Sequence, residues 1–489
     1  MFDFAFFFHF FFFCYCILTV YIYHFAEVAL SSQITKNITL NLPLVSSPMD
    51  TVTEHRMATA MALQGGLGII HCNLSVEDQV EQIRRVKRYK NGFILDPICA
   101  GPDSTLSDLD EISEKKGVTG IPVTSTGKVG GELLGIITSR DSDFVSDRST
   151  KASSIMTPRS DLTTSTEDCT LEEANRMMQE SRKGKLPIVD SDGNLYALIA
   201  RADLLKQRDF PHATKSPKDG SLMVGAAVAA VVEDRPRVDA LVNAGVDVII
   251  VDSKQGDSRQ QIDMIKYIKS THGDVVDIIG GNAVTVTQIR HLIEAGVDGI
   301  RVGMGAATIS TAQLVKAVGR AQISAVYHTS KIAKEYGVPV IADGGIANTG
   351  CAIKALSMGA SCVMMGSLLA GTDESPGEYF FRDGMRLKQY RGMASREAIV
   401  GGSGSNMRRQ QSSHAHGVSG TVMDKGSIGL FVPYMTQSIR HGFQDIGATS
   451  ISDMHDQLFS GKLRFELRSQ AAQKEGGVHD LFSYEKRLF

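Results

Sequence analysis

The sequence predicts an α/β protein: a (β/α)8 barrel interrupted by an inserted tandem module. Three observations carry this. Five short apolar, β-branched runs recur, four of them close behind a helical segment: AGVDVIIVDS (244–253), DIIGGNAV (277–284), AGVDGIRVGMG (295–305), GVPVIADGGI (337–346) and GASCVMMGS (359–367). Each run ends in polar residues or glycines: Asp252, Asn282, Arg301, Asp343 with Gly344 and Gly345, and Gly366 with Ser367. Buried parallel strands cannot leave such groups in a dry core, so they converge at one rim, the carboxyl face of a barrel. The third observation is an internal repeat over residues 92–212, flanked on its amino side by a strand, helix, strand order.

Taken in order, the chain begins with an apolar, Phe-rich segment, residues 1–26. It is long enough to cross a bilayer as a helix, yet it lacks the basic start and small-residue cleavage site of a signal peptide. A signal anchor, a helix buried in the protein and translated non-coding sequence all remain readings; the last is preferred, which makes the protein cytoplasmic. Residues 27–91 form the first part of the barrel. Here LNLPLVSSPMD (40–50) and GGLGIIHC (65–72) read as buried strands around the helical EHRMATAMALQ.

The repeat consists of TGIPVTSTGKVGGELLGIITSRD and GKLPIVDSDGNLYALIARAD, with Pro122 and Pro187 in matching positions. Each copy reads helix, strand, turn, strand, helix, and DSDG supplies turn chemistry in the second. Residues 213–489 complete the barrel, including a flap at about 394–417. A length of 489 residues exceeds one average domain. The net charge of -3, with both signs interspersed, predicts no specific nucleic-acid partner. Seven cysteines without CxxC or Cys/His spacing fit reduced thiols and suggest no zinc site.

The chemistry concentrates in RVGMGAATISTAQ (301–313). Gly303, Gly305 and the small residues after them let the backbone approach a ligand, and Thr308, Ser310 and Thr311 add side-chain oxygens. Such a loop holds a phosphate and presents a nucleophile. Gly344 with Gly345 and Gly366 with Ser367 read as a phosphate grip of backbone N–H groups or as tight turns. Asp343 either holds a ribose diol or caps the next helix. Asp252 and Asn282 suit a purine, ribose or nicotinamide amide, and Asn282 also suits a left-handed turn. Arg301 reads as an ion-pair partner of Asp252 across the barrel.

The motifs SSPMDTVT, GGNAVT, RVGMG, IADGGI, MMGSLLAGT, ESPGEYF, YRGM, HGVSG, DKGSI, EGGVH and SYEKRLF stand in this order around the repeat. Over residues 27–489 the chain resembles inosine-5'-monophosphate (IMP) dehydrogenase of the eukaryotic type, and the repeat resembles a tandem pair of cystathionine-β-synthase (CBS) modules. The resemblance implies NAD-dependent oxidation of IMP to xanthosine monophosphate (XMP) in guanine nucleotide synthesis. It also implies a homotetramer, a potassium ion, and adenine or guanine nucleotides at the CBS pair. Thr308, Gly344, Gly345, Gly366 and Ser367 would grip the IMP phosphate. Asp343 would hold the ribose; Ser47, Met49, Tyr390, Gly392, Met393 and His416 would complete the nucleotide pocket. Asp252, Ser253, Asn282, Arg301 and Gly303 would face NAD. Main-chain carbonyls of Gly305, Ala307 and Ser310 would hold potassium, with Glu475, Gly476 and Gly477 of a neighbouring subunit. Arg408, in the flap, is the nearest match to the water-activating arginine.

The departures from the family fall on the chemistry. Ser310 stands where the catalytic cysteine is expected, and no cysteine lies between 170 and 350. A thiol offers some thiolate at neutral pH, whereas a serine hydroxyl needs an adjacent base. Ala312 replaces a threonine, Ala307 a glycine of the potassium loop, Arg409 a tyrosine and His416 a glutamine. On the cofactor side Lys254 stands for a serine, and Val231 and Gln260 replace residues that stack on adenine. Impaired turnover follows. The alternatives are a catalytically inactive, nucleotide-binding subunit that co-assembles with an active paralogue, and a GMP reductase.

Overall fold

The computed structural model describes residues 14–16, 24–87, 93–94, 97–116, 118, 120–166, 169, 171–200, 210–253, 255–401, 417–479 and 481. Most of the Phe-rich segment lies outside them, as do Lys254, Arg408, Arg409 and His416. The chain divides into two compact units, one of residues 1–87, 212–216 and 222–489, the other of residues 88–211 and 217–221.

In the first unit, eight strands close a barrel: β1 (Leu44–Ser46), β2 (Leu67–Ile70), β3 (Gly225–Ala229), β4 (Val248–Asp252), β5 (Asp277–Ala283), β6 (Gly299–Val302), β7 (Val340–Asp343) and β8 (Cys362–Met365). Every neighbouring pair is parallel, and β8 pairs with β1 to close the ring. Sequence patterning named seven of these strands. It missed β3, because GAAVA carries one β-branched residue and no polar group at its carboxyl end.

Strands such as VIIV in β4 are fully buried on both faces, as expected where helices cover the outside and side chains fill the inside. Val45, Leu67, Ile69, Ala227, Val248, Ile250, Ile279, Ile341, Cys362 and Met364 form the core. Burial there pushes the Cys362 thiol far above its ordinary pKa, which makes it a packing residue. Ile34 and Leu40, from the hairpin around residues 32–40, join this core. That hairpin is pinned by Thr35 and Asn37 donating to Asp277 at 2.5 and 2.9 Å.

Local chemistry starts and stops the outer helices. Ser258 caps Arg259–His272, Thr285 and Gln288 form a capping box on Val286–Ala295 with Gly296 left-handed after it, and Asn348 caps Thr349–Ser357. The cap of Thr349–Ser357 is therefore Asn348 and not Asp343. Asn282 lies within β5 without a positive φ, so it is not a left-handed turn residue, and Ala307 too lacks a positive φ.

Three buried glutamines tie adjacent strand ends together. Gln79 Nε2 donates to Ala227 O at 2.9 Å and Ile70 O at 3.4 Å; Gln261 Nε2 to Val251 O at 2.9 Å and Gly281 O at 3.0 Å; Gln322 Nε2 to Val302 O at 2.8 Å and Asp343 O at 3.1 Å. Each satisfies carbonyls that the ladder leaves open at the rim where a pocket begins.

The helical readings of the Phe-rich segment do not describe Cys14–Cys16, which form a strand antiparallel to Phe465–Leu467. Among the described residues no helix is long and apolar enough to cross a membrane.

The second unit contains two antiparallel strand pairs, Gly120–Thr124 with Leu133–Thr138 and Lys185–Val189 with Leu195–Ala200. Helices Leu106–Lys116 and Leu171–Ser181 precede them. In the second turn Asp190 Oδ1 accepts from the N–H groups of Asp192 and Asn194 at 2.9 and 2.8 Å, and Gly193 takes φ +86°. Phe93–Ile94, distant in sequence, pairs with Leu195–Ala200, and Thr157–Pro158, the next strand along the chain, pairs with Leu133–Thr138.

Candidate active site

The carboxyl ends of the barrel strands open into a pocket of about 480 Å³, a volume suited to a nucleotide-sized ligand. Ser47 and Met49 after β1, Asp252 and Ser253 at β4, Asn282 at β5, and Arg301 and Gly303 at β6 line it. So do Gly305, Ala307, Thr308 and Ser310 of the loop, Asp343, Gly344 and Gly345 at β7, and Gly366 and Ser367 after β8. Tyr390, Gly392 and Met393, at the end of the strand Met385–Arg391, cover it.

Charge in the pocket is organised by Arg301. Its Nη1 donates to Asp252 Oδ1 and its Nε to Asp343 Oδ2, both at 2.9 Å. Burial opposes the guanidinium charge, and the two carboxylates outweigh it and hold its pKa above the ordinary value. The ion pair expected with Asp252 is thus a bridge between two carboxylates. Asn282 Nδ2 donates to Asp343 Oδ2 at 2.9 Å and to Gly303 O at 2.7 Å. Its Oδ1 is buried with no partner among the described residues. A buried acceptor without a partner on a pocket-lining residue is the kind of group that an N–H donor such as a carboxamide would satisfy. Gly303 is obligatory: at φ +150° an added Cβ would lie 1.9 Å from Asp343 O.

The loop is stitched to the root of the flap. Ser310 and Gly417 form an antiparallel bridge, Val418 N–H donates to Ile309 O at 3.1 Å, and Gly392 N–H to Val418 O at 3.1 Å. Arg391, at the flap's entrance, donates to Asp50 through Nε at 3.1 Å and Nη2 at 2.8 Å. Asn73 Nδ2 reaches the same carboxylate at 2.9 Å. Burial and the Asp343 charge push the Tyr390 phenol well above its ordinary pKa, against a hydrogen bond with Ser367 that lowers it.

Among the described lining residues the ionisable side chains are Asp252, Arg301, Asp343 and Tyr390. Ser310 Oγ accepts from Ala312 N–H at 3.4 Å, and both pocket carboxylates are engaged by Arg301. Of the three carbonyls expected to hold potassium, Gly305 O accepts from Gln313 Nε2 at 2.8 Å and Ala307 O from Ser310 N–H at 3.0 Å. Glu475, Gly476 and Gly477 lie outside this pocket, exposed at the end of the helix Gln470–Glu475.

Sequence reasoning missed Asn73, Ala229 and Ala230 of the lining. Asn73 follows the carboxyl end of β2, where rim position was the available signal; the alanines carry none. Val231 and Gln260 also line the pocket.

Comparison with known proteins agrees with this architecture. A family model described as IMP dehydrogenase / GMP reductase domain matches residues 18–479. Inosine-5'-monophosphate dehydrogenase from Schizosaccharomyces pombe is 48% identical over 471 residues, covering 94% of this chain and 90% of its own. The enzyme from Toxoplasma gondii is 47% identical over 519 residues, covering 95% and 94%. Among solved structures, a variant of Trypanosoma brucei GMP reductase in complex with guanosine 5'-monophosphate superposes with a TM-score of 0.88 at 36% identity, covering 96% of this chain and 97% of that one. The two dehydrogenases are more similar in sequence, at 47–48% identity against 36% for the reductase, and the chain belongs to the IMP dehydrogenase family of oxidoreductases.

Proposed function

We propose that the rim pocket binds IMP and NAD and oxidises IMP to XMP slowly. The observation that carries the second half is Ser310, placed in the loop without a base among the described lining residues. Thr308, Gly344, Gly345, Gly366 and Ser367 take the phosphate and Asp343 the ribose. Ser47, Met49, Tyr390, Gly392 and Met393 complete the nucleotide pocket, and the resemblance alone adds His416, which lies outside the described residues. Asp252, Ser253, Asn282, Arg301 and Gly303 face NAD, and the unpaired Asn282 Oδ1 suits its carboxamide. NAD supplies the hydride acceptor. Attack of the Ser310 hydroxyl on carbon 2 of the purine requires its proton to leave, and among the described lining residues the two carboxylates that could take it are engaged by Arg301. Water, activated by Arg408, would then release XMP and restore the hydroxyl.

Potassium belongs to this reading, held by main-chain carbonyls of Gly305, Ala307 and Ser310 with Glu475, Gly476 and Gly477 of a neighbouring subunit; Gly305 O, which accepts from Gln313 Nε2, keeps a second lone pair for it. Adenine or guanine nucleotides at the CBS pair, a homotetramer and a cytoplasmic location complete it.

The test is turnover of IMP with NAD by the wild-type chain and by Ser310→Cys. The wild type should fall far below an ordinary rate of about 10 per second. The thiol should raise it by about a hundredfold or more, the scale of a missing general base. A wild type at the ordinary rate sinks the reading. Tight IMP binding and hetero-oligomers without turnover in either form would favour the non-catalytic subunit, which the same Ser310 motivates. Conversion of GMP with NADPH instead would favour GMP reductase.

A further inference from the structure

The segment after β8 forms the turn that the proposed function assigns to the phosphate, and its shape is held from outside the pocket. Lys425 Nζ donates to two successive carbonyls of this turn, Ser367 O and Leu368 O, the second at 3.1 Å. A trans peptide points its C=O and N–H in opposite directions. Pinning the Ser367 carbonyl therefore turns the Leu368 N–H away from the lysine. The Leu369 N–H closes the turn by donating to Gly366 O at 3.1 Å.

The lysine is itself anchored. Its own N–H donates to Gly371 O at 3.1 Å, Asp373 N–H donates to Gly426 O at 3.0 Å, and Glu374 accepts from Ser427 Oγ and Ile428 N–H at 2.5 and 3.0 Å. Lys425 follows the strand Ser419–Met423, which returns from the flap. Its ammonium thus connects the flap's return strand to the turn carrying Gly366 and Ser367.

We propose that Lys425 is a positioning residue for phosphate recognition: it fixes the Gly366–Leu368 turn and places a half-buried positive charge behind it. The inference rests on the reading that this turn grips the phosphate. Burial lowers the ammonium's pKa to about 8, a charge cost that a phosphate dianion in front of the turn would offset. Lys388 is the natural comparison. It is buried and donates to Thr372 O and Ser375 O at 2.9 and 2.8 Å, away from the pocket lining.

Binding of IMP and of inosine, which lacks the phosphate, should be measured by calorimetry for the full chain and its Lys425→Met, Lys388→Met and Ser367→Ala variants. Loss of a charged donor to the turn should weaken IMP by roughly tenfold and leave inosine unchanged in Lys425→Met, whereas Lys388→Met should not alter the ratio of the two affinities. Should Lys425→Met not fold, Lys425→Gln keeps one donor and should show the same phosphate-selective loss. Unchanged IMP binding, or an equal loss for both ligands, overturns the proposal. Ser367→Ala tests the underlying site separately: if that variant leaves the ratio unaltered, the phosphate lies elsewhere, whatever Lys425 does.

Discussion

Replacing Arg301 with Met probes the centre of the pocket, since it keeps the volume and removes the charge. Arg301 is 9% exposed and makes two 2.9 Å bonds, one to each carboxylate. With charge centres about 4 Å apart and an effective dielectric of about 20, each pair is worth about 4 kcal/mol before desolvation. Removing one partner of a buried pair costs about 3–5 kcal/mol. The Asp252 and Asp343 side chains keep 21% and 16% exposure, so water screens part of this, and the low end, about 3 kcal/mol, is expected. Two facing carboxylates would then repel, and Asp343 would keep only the Asn282 amide. Urea unfolding of the full chain, with the barrel transition resolved from that of the inserted unit, measures the first effect, and IMP titration the second. The midpoint should fall, less at pH 5 than at pH 7.5 because protonating one carboxylate relieves the repulsion, and IMP should bind at least about tenfold more weakly. A loss under about 1 kcal/mol with unchanged IMP affinity would refute the claim that Arg301 organises the site.

Other perturbations follow from the same structure. Gly303→Ala would place a methyl 1.9 Å from Asp343 O in a backbone region that penalises side chains, so IMP binding should be lost; retained affinity would show that β6 and β7 separate freely. Burial lowers the pKa of His455 below 6.5, against two carbonyls, Leu356 O and Ala360 O, that accept from its ring at 3.1 Å. The unfolded chain therefore binds more protons as pH falls below 6.5, and the stability present above that pH is progressively lost. His55 and His328 shift in the same direction. His455→Gln should flatten the acid side of the unfolding profile; an unchanged slope would remove His455 as a cause.

Much of the barrel is legible in sequence because a buried parallel strand must be apolar throughout and must end where polar groups can reach a rim. AGVDVIIVDS and GVPVIADGGI satisfy both conditions. GAAVA in β3 is apolar but short of β-branched residues and has no polar end, and only its pairing with β2 and β4 identifies it. Lys425 lies within a quoted motif, DKGSI, yet its role was invisible because the carbonyls it holds are 57 and 58 positions away.

The sequence by itself determined seven of the eight barrel strands, their order and the residue types available at the rim, because periodicity and turn chemistry are local. It also has Ser310 where the resemblance expects a cysteine, with no cysteine between 170 and 350. Only the tertiary structure decided that Arg301 bridges two carboxylates, that Gln313 donates to Gly305 O, and that Gln322 ties β6 to β7. Those contacts depend on which strand ends closure of the barrel brings within about 3 Å of one another, and spacing along the chain does not encode that distance.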